Sequence, residues 1–249
     1  LSFAAVIQVI MPNTFIHKSN SRGKANHGWL NSFHTFSFAN YHHPERMHFG
    51  VLRVLNDDTV AAGMGFGKHP HDNMEIISIP LEGELLHQDT MGNTAIIKKG
   101  DIQVMSAGTG IYHSEQNNSK NDTVKFLQIW IYPNKKNVEP RYDQIDLANL
   151  LKTNELVQIL SPNPNDQGVW IHQNAWFHMG KLEPNQTVKY TLKDPQNGVY
   201  CFVLAGQAMV DSFKLDERDG MGIWEINSFS IESLSENLEI LLMEVPLKL

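Results

Sequence analysis

Two segments of this chain place ligand-type side chains at i and i+2 between glycines, and that spacing constrains the fold more than any other feature. The first reads G-x5-H-x-H-x3-E-x7-G and holds Gly63, His69, His71, Glu75 and Gly83. The second reads G-x7-G-x-G-x2-H-x3-N, from Gly100 through Gly108 and Gly110 to His113 and Asn117, with Glu115 two residues after the histidine. On a β-strand, residues i and i+2 point to one face. Glycine takes positive φ cheaply, so its recurrence marks tight turns between short strands. Two such pairs facing each other across a small barrel offer three imidazoles and one carboxylate to a single ion. That set suits a divalent iron, copper, nickel, manganese or zinc ion and leaves coordination positions open for substrate.

The rest of the chain agrees with an all-β reading. Its 249 residues are 41% apolar, enough for one large β domain or two small ones, and 17 Gly and 11 Pro punctuate many short apolar runs. The net charge is -7, and no basic run exceeds Lys98-Lys99 or Lys135-Lys136, which argues against direct nucleic-acid binding through a basic patch. The one cysteine, Cys201, excludes an intramolecular disulfide and fits a reducing, cytoplasmic setting; within VYCFVL it reads as a buried, inert thiol. Residues 1–10, LSFAAVIQVI, are too short to span a bilayer and lack a basic flank. They read as a non-native or upstream extension, with Met11 as the native start, and no membrane association is expected.

Along the chain, Phe33 to Phe38 alternates with period two and predicts a strand with Phe36 and Phe38 on one face. Gly50 to Leu55 predicts a strand ended by the turn cluster Asn56-Asp57-Asp58. Met74 to Pro80 and Leu85 to Gln88, joined by Glu82-Gly83-Glu84, predict a hairpin. Val124 to Tyr132 sends Phe126, Gln128, Trp130 and Tyr132 to one face and Leu127, Ile129 and Ile131 to the other, completing a barrel of about eight to ten strands. Phe36, Phe38, Phe66 and Trp130 are candidates for the wall of a pocket for a flat ligand, although aromatic residues fill cores as readily. Residues 134–167 are loop-like and read as a linker, with Gln144 to Leu151 a candidate short helix. Strand patterning resumes from 168 to 249, where Val199 to Gln207 repeats the pattern of Ile76 to Glu84. This second half has only His172 and His178, with no H-x-H or H-x-E, so one metal site is expected, in residues 11–133.

The two motifs resemble those of cupins. The His-Pro-His run, MSAGTGIYHSE (105–115), FLQIWIYP (126–133) and RGKANHGWLNSFHTFSFANYHHP (22–44) resemble the pirin family, in its bacterial branch. The resemblance runs from about Phe15 to the C-terminus. It implies a bicupin, two antiparallel β-barrels of jelly-roll type, with one metal ion in the N-terminal barrel. The implied ligands are His69, His71, His113 and Glu115. In most cupins the fourth ligand is instead the first-motif glutamate, here Glu75; if Glu115 serves, Glu75 is expected to hold an imidazole or lie near the substrate. The implied activity is oxygenolytic ring cleavage of a flavonol such as quercetin with loss of carbon monoxide. Its implied partners are O2 and a small aromatic substrate, with Glu115 the catalytic proton acceptor. Iron leads the expected ions, ahead of copper, nickel, manganese, zinc and cobalt. The alternative function is a non-catalytic, metal-dependent regulator that binds protein partners.

Overall fold

Period-two patterning and the spacing of turn glycines build two similar sandwiches. A computed structural model describes residues 12–249, so the reading of residues 1–10 and Met11 lies outside the described residues. Gly63, Gly83, Gly100, Gly108 and Gly110 all take positive φ, as turn glycines should.

In the first barrel a seven-stranded sheet runs in the order Arg141–Asp146, Asp101–Ser106, Glu75–Glu82, Val124–Ile131, Leu52–Val60, Leu30–His34 and Gly23–Asn26. It faces a four-stranded sheet ordered Gly65–His71, Ile111–Asn117, Glu84–Asp89 and Thr94–Lys98. The second barrel repeats this. Its seven-stranded sheet is Asn13–His17, Gly220–Trp224, Asn197–Ala205, Leu238–Pro246, Trp176–Leu182, Leu156–Ser161 and Val169–Trp170. Its four-stranded sheet is Thr187–Thr191, Ser228–Ser233, Ala208–Val210 and Phe213–Leu215. The bicupin expectation therefore holds, with eleven strands among the described residues, rather than eight to ten, in the first barrel.

Several local expectations are corrected. Glu75–Glu82 and Glu84–Asp89 are not a hairpin. Glu75–Glu82 already pairs on both sides, with Asp101–Ser106 and Val124–Ile131, so the chain turns a corner at Gly83 into the other sheet. The second barrel turns the same corner at Gly206, so the repeat seen in sequence is real but is a corner. A Cβ at Gly206 would stand 2.3 Å from Ser235 Oγ, and at Gly83 3.1 Å from Thr123 O, in backbone that favours glycine anyway.

The candidate helix over Gln144 to Leu151 is absent. Arg141–Asp146 is a strand in full register with Asp101–Ser106, and only one helical turn follows, where Leu151 N donates to Leu147 O at 2.9 Å. Partners on the neighbouring strand outweigh the helical propensity there: Gln144 Nε2 donates to Asp101 Oδ2 at 2.8 Å. The expected 134–167 linker shrinks to 147–155, because Leu156–Ser161 already belongs to the second barrel. The 11–133 boundary also moves, since Asn13–His17 pairs with Gly220–Trp224 of the second barrel.

Asn56-Asp57-Asp58 is strand rather than turn. Each side chain of the two aspartates has a tertiary partner: Asp57 meets Arg22 Nη1 at 3.2 Å, and Asp58 accepts from Ser32 Oγ. The strand Leu30–His34 ends before Phe36, so the expected alternation breaks. The two halves meet on one shared core, where Ile77, Ile79, Leu127, Ile129 and Ile131 pack with Phe177, Tyr200, Phe202, Leu241 and Met243. Val51 N donates to Pro246 O at 3.0 Å across the same seam. Among the described residues no helix is long and apolar enough to cross a membrane.

Candidate metal centre

The H-x-H and H-x-E runs lie on neighbouring strands of one sheet, not across the barrel from each other as expected. Ile111–Asn117 pairs with Gly65–His71 so that His113 opposes His69 and Glu115 opposes Phe66. The His69 strand thus spends three residues where its partner spends two, a bulge that falls on Gly67 and Lys68. The bulge sets the Gly67 carbonyl 2.7 Å from His69 Nδ1, which fixes that ring with Nε2 free to face inward.

Three imidazoles converge. The His69, His71 and His113 ring centroids are 4.5 to 4.9 Å apart, and His113 Nε2 lies 3.0 Å from His69 Nε2. Nitrogens held at about 2.1 Å from one ion, at tetrahedral or octahedral angles, stand about 3 Å apart. This trio therefore fits a transition-metal ion. Burial, then the neighbouring His69, holds His71 down to about 4; burial, then His69, His71 and His87, holds His113 down to about 2. At neutral pH both rings offer lone pairs rather than charge.

Glu115 is fully buried and stands slightly apart. Its carboxylate groups with His113 and His87, each ligand atom within 4.8 Å of the others, and not with His69 and His71. Ser78 Oγ donates to Oε1 at 2.9 Å and Gln128 Nε2 donates to Oε2 at 2.7 Å. Burial pushes its acid up against these two opposing hydrogen bonds. Glu75 does not join the histidines. It points to the opposite face of its strand, accepts from Ser106 Oγ at 2.6 Å and faces Arg141 and the backbone at His172.

Above the imidazoles opens a cavity of about 570 Å³, walled by Trp29, Phe38, Phe66, Ile76 and Trp130. Trp130 stacks edge-on to His71 at 5.0 Å and to Phe38 at 5.4 Å. Phe36 is not in this wall; it packs beside His17 and Tyr200 in the shared core. His34 is in the wall, with the Phe38 ring 5.3 Å from its own. Two residues missed in the sequence also line the cavity's polar side, Asn56 and Asp58. Burial raises Asp58 to about 7, opposed by the Ser32 hydrogen bond and aided by Asp57 and Glu115. His87 was missed as well: it is fully buried and opposes Glu115 directly on the adjoining strand.

In the second barrel, His178 is buried with its ring 4.9 Å from Tyr190, and His172 packs on Trp170 at 4.8 Å.

The comparisons with known proteins agree with this geometry. The pirin family model matches residues 16–131, and a model of the quercetinase C-terminal cupin domain matches 158–245. A quercetin 2,3-dioxygenase of Escherichia coli K12 is 42% identical over 233 residues, covering 93% of this chain and 98% of the relative. A pirin-like protein of Caulobacter vibrioides is 37% identical, covering 89% and 95%. The crystal structure of the bacterial pirin YhhW of Escherichia coli in complex with nickel(II) superposes with a TM-score of 0.88 at 39% identity, covering 94% of this chain and 99% of that one. The chain belongs to the pirin family.

Proposed function

We propose that this pirin is a metal-dependent dioxygenase that opens the ring of a flavonol such as quercetin. The reading rests on one observation: an aromatic-walled cavity of about 570 Å³ that ends on three converging imidazoles and a buried carboxylate. That volume lies within the usual range for a small-molecule site. His69, His71 and His113 would hold one divalent transition-metal ion, with Glu115 as its fourth protein ligand. When bound, the ion supplies a Lewis-acid centre for an enol oxygen and for O2.

The chain's own residues do the rest. Trp29, Phe38, Phe66 and Trp130 sandwich a flat ring and exclude water. Glu115 takes the proton of the substrate hydroxyl, and its burial makes it a stronger base than an exposed carboxylate. Ser78 and Gln128 aim its two oxygens. Asp58 faces the same cavity and holds a polar substrate edge. The relatives named quercetin 2,3-dioxygenase support this choice of substrate class.

Oxygen uptake with quercetin, using protein reconstituted in turn with iron, copper, nickel and manganese, tests the reading. Uptake that tracks metal content is expected. No uptake with any of the four ions and several flavonols would favour the non-catalytic regulator.

A further inference from the structure

A neutral imidazole that gives one nitrogen to a metal must place the N–H on its other nitrogen somewhere, and in proteins a carboxylate, carbonyl or water takes it. His69 satisfies this with Gly67 O at 2.7 Å. His113 does not: its Nδ1 is buried and has no hydrogen-bond partner, although its Nε2 faces His69. The nearest buried ring across the sheet is His87, 5.4 Å from His113 between centroids, and its Nδ1 is likewise buried and without a partner. Both rings belong to one buried cluster, in which His87, His113 and Glu115 bring ligand atoms within 4.8 Å of one another, so their two orphaned nitrogens call for a shared explanation.

The other end of His87 decides which nitrogen holds the proton. Its Nε2 lies 3.1 Å from Asp89 Oδ2, and both side chains are fully buried. Asp89 is itself held rigidly. Its Oδ1 accepts from Met91 N at 2.9 Å and Asn93 N at 3.1 Å, and its Oδ2 accepts from Asn93 Nδ2 at 2.9 Å. A carboxylate fixed by three donors has only acceptor capacity left, so His87 donates through Nε2. In the neutral ring the lone pair is then on Nδ1. The strand ladder brings the four groups together, because His113 opposes Asp89 and Glu115 opposes His87. Tyr142 lies 4.8 Å from the His87 ring and packs against it.

We propose that Asp89 and His87 form a positioning pair for the metal centre: Asp89 locks the His87 tautomer, and His87 Nδ1 accepts the Nδ1–H of His113, fixing His113 with Nε2 toward the ion. The inference rests on the metal-binding reading above and extends it from the ligands to what aims one of them.

Asp89→Asn is the sharpest variant. The two backbone amides on Oδ1 keep the amide oxygen on their side, which turns the NH2 group toward His87 Nε2. His87 must then carry its proton on Nδ1, facing a donor. Long-range 1H–15N correlation of the metal-free protein reads this tautomer directly, and competition with a chelator reads the nickel dissociation constant. The wild-type ring is expected to be protonated on Nε2, and the Asp89→Asn ring on Nδ1, with nickel bound about 10- to 100-fold more weakly, the usual loss when such a partner is removed. His87→Leu should lose as much. His87→Asn, whose side-chain oxygen can take the place of ring Nδ1, should restore most of the affinity, and this comparison serves if Asp89→Asn does not fold. A wild-type ring protonated on Nδ1, unchanged nickel affinity in His87→Leu, equal losses in the Leu and Asn variants, or a second nickel ion bound through His87 would each overturn the inference. Because the tautomer is read without metal, a wild-type protein that fails to bind nickel would refute the metal-centre reading and leave the Asp89–His87 assignment standing.

Discussion

The two barrels share a plan and differ in what their interiors leave unfilled. Each pairs a seven-stranded sheet with a four-stranded one, and each turns the same glycine corner between sheets. Each also buries a carboxylate. In the second barrel Glu244 accepts four hydrogen bonds, from Tyr190 Oη, Lys193 N, Asp194 N and Asn197 Nδ2, at 2.7 to 3.0 Å. Leu182, Val199, Cys201, Val203, Ile240 and Leu242 pack into one apolar core in that barrel, and burial pushes the Cys201 thiol upward out of reactive range. In the first barrel Glu115 has two side-chain donors, three imidazoles converge beside it, and a cavity remains open. The difference shows that the fold supplies only the frame. A buried acid with all its acceptor sites used is structural, and one with capacity to spare beside unpaired imidazoles is available for chemistry.

Exchanging each acid for its amide should expose that contrast. Glu115→Gln is expected to cut flavonol turnover by about a hundred- to ten-thousand-fold, because the amide cannot accept the substrate proton. Metal content should fall far less, since an oxygen remains for the ion; equal falls in the two would reduce Glu115 to a ligand. Glu244→Gln should leave turnover per folded molecule alone and cost stability instead. An amide nitrogen in place of one oxygen strands two donors, at about 1–3 kcal/mol for each. Urea denaturation measures this, and an undiminished midpoint would mean the second barrel's network is slack.

A third buried acid, Glu75, sits on the seam and gives a smaller, pH-dependent effect. Burial, opposed by the Ser106 hydrogen bond and by Arg141, raises it from 4.5 to about 7. The folded-state value lies above the unfolded one, so the group opposes folding as pH rises from about 4.5 to about 7, and the cost is constant above that. The interval corresponds to about 3 kcal/mol at most. Glu75→Gln should therefore match the wild type near pH 4 and exceed it in stability at pH 8. Equal stability differences at the two pH values would show that Glu75 ionises freely in the folded state.

What was legible in the sequence follows from which signals are local. His69, His71 and His113 were readable because i and i+2 on strands fix a face whatever the register, and the clean alternation of Val124–Ile131 placed Gln128 and Trp130 on the cavity side. That the two motifs lie on neighbouring strands was not readable, since strand order is a long-range property. Asn56-Asp57-Asp58 looked like a turn on local propensity, but Arg22 and Ser32 capture its aspartates within a strand. His87 and Asp89 carry the same i, i+2 spacing as the ligands, yet only the pairing of their strand with Ile111–Asn117 reveals what they face. Phe36 has the parity of His34 and Phe38 yet packs in the shared core rather than in their wall, because the strand ends at His34.

The central claim, that one barrel holds chemistry and the other holds structure, is tested most directly by elemental analysis of nickel-loaded protein in matched variants of the two barrels. One ion per chain is expected in the wild type and in His178→Ala, and a large loss in His71→Ala, where one of three nitrogen ligands is gone. Two ions per chain in the wild type, or full metal content in His71→Ala, would contradict it.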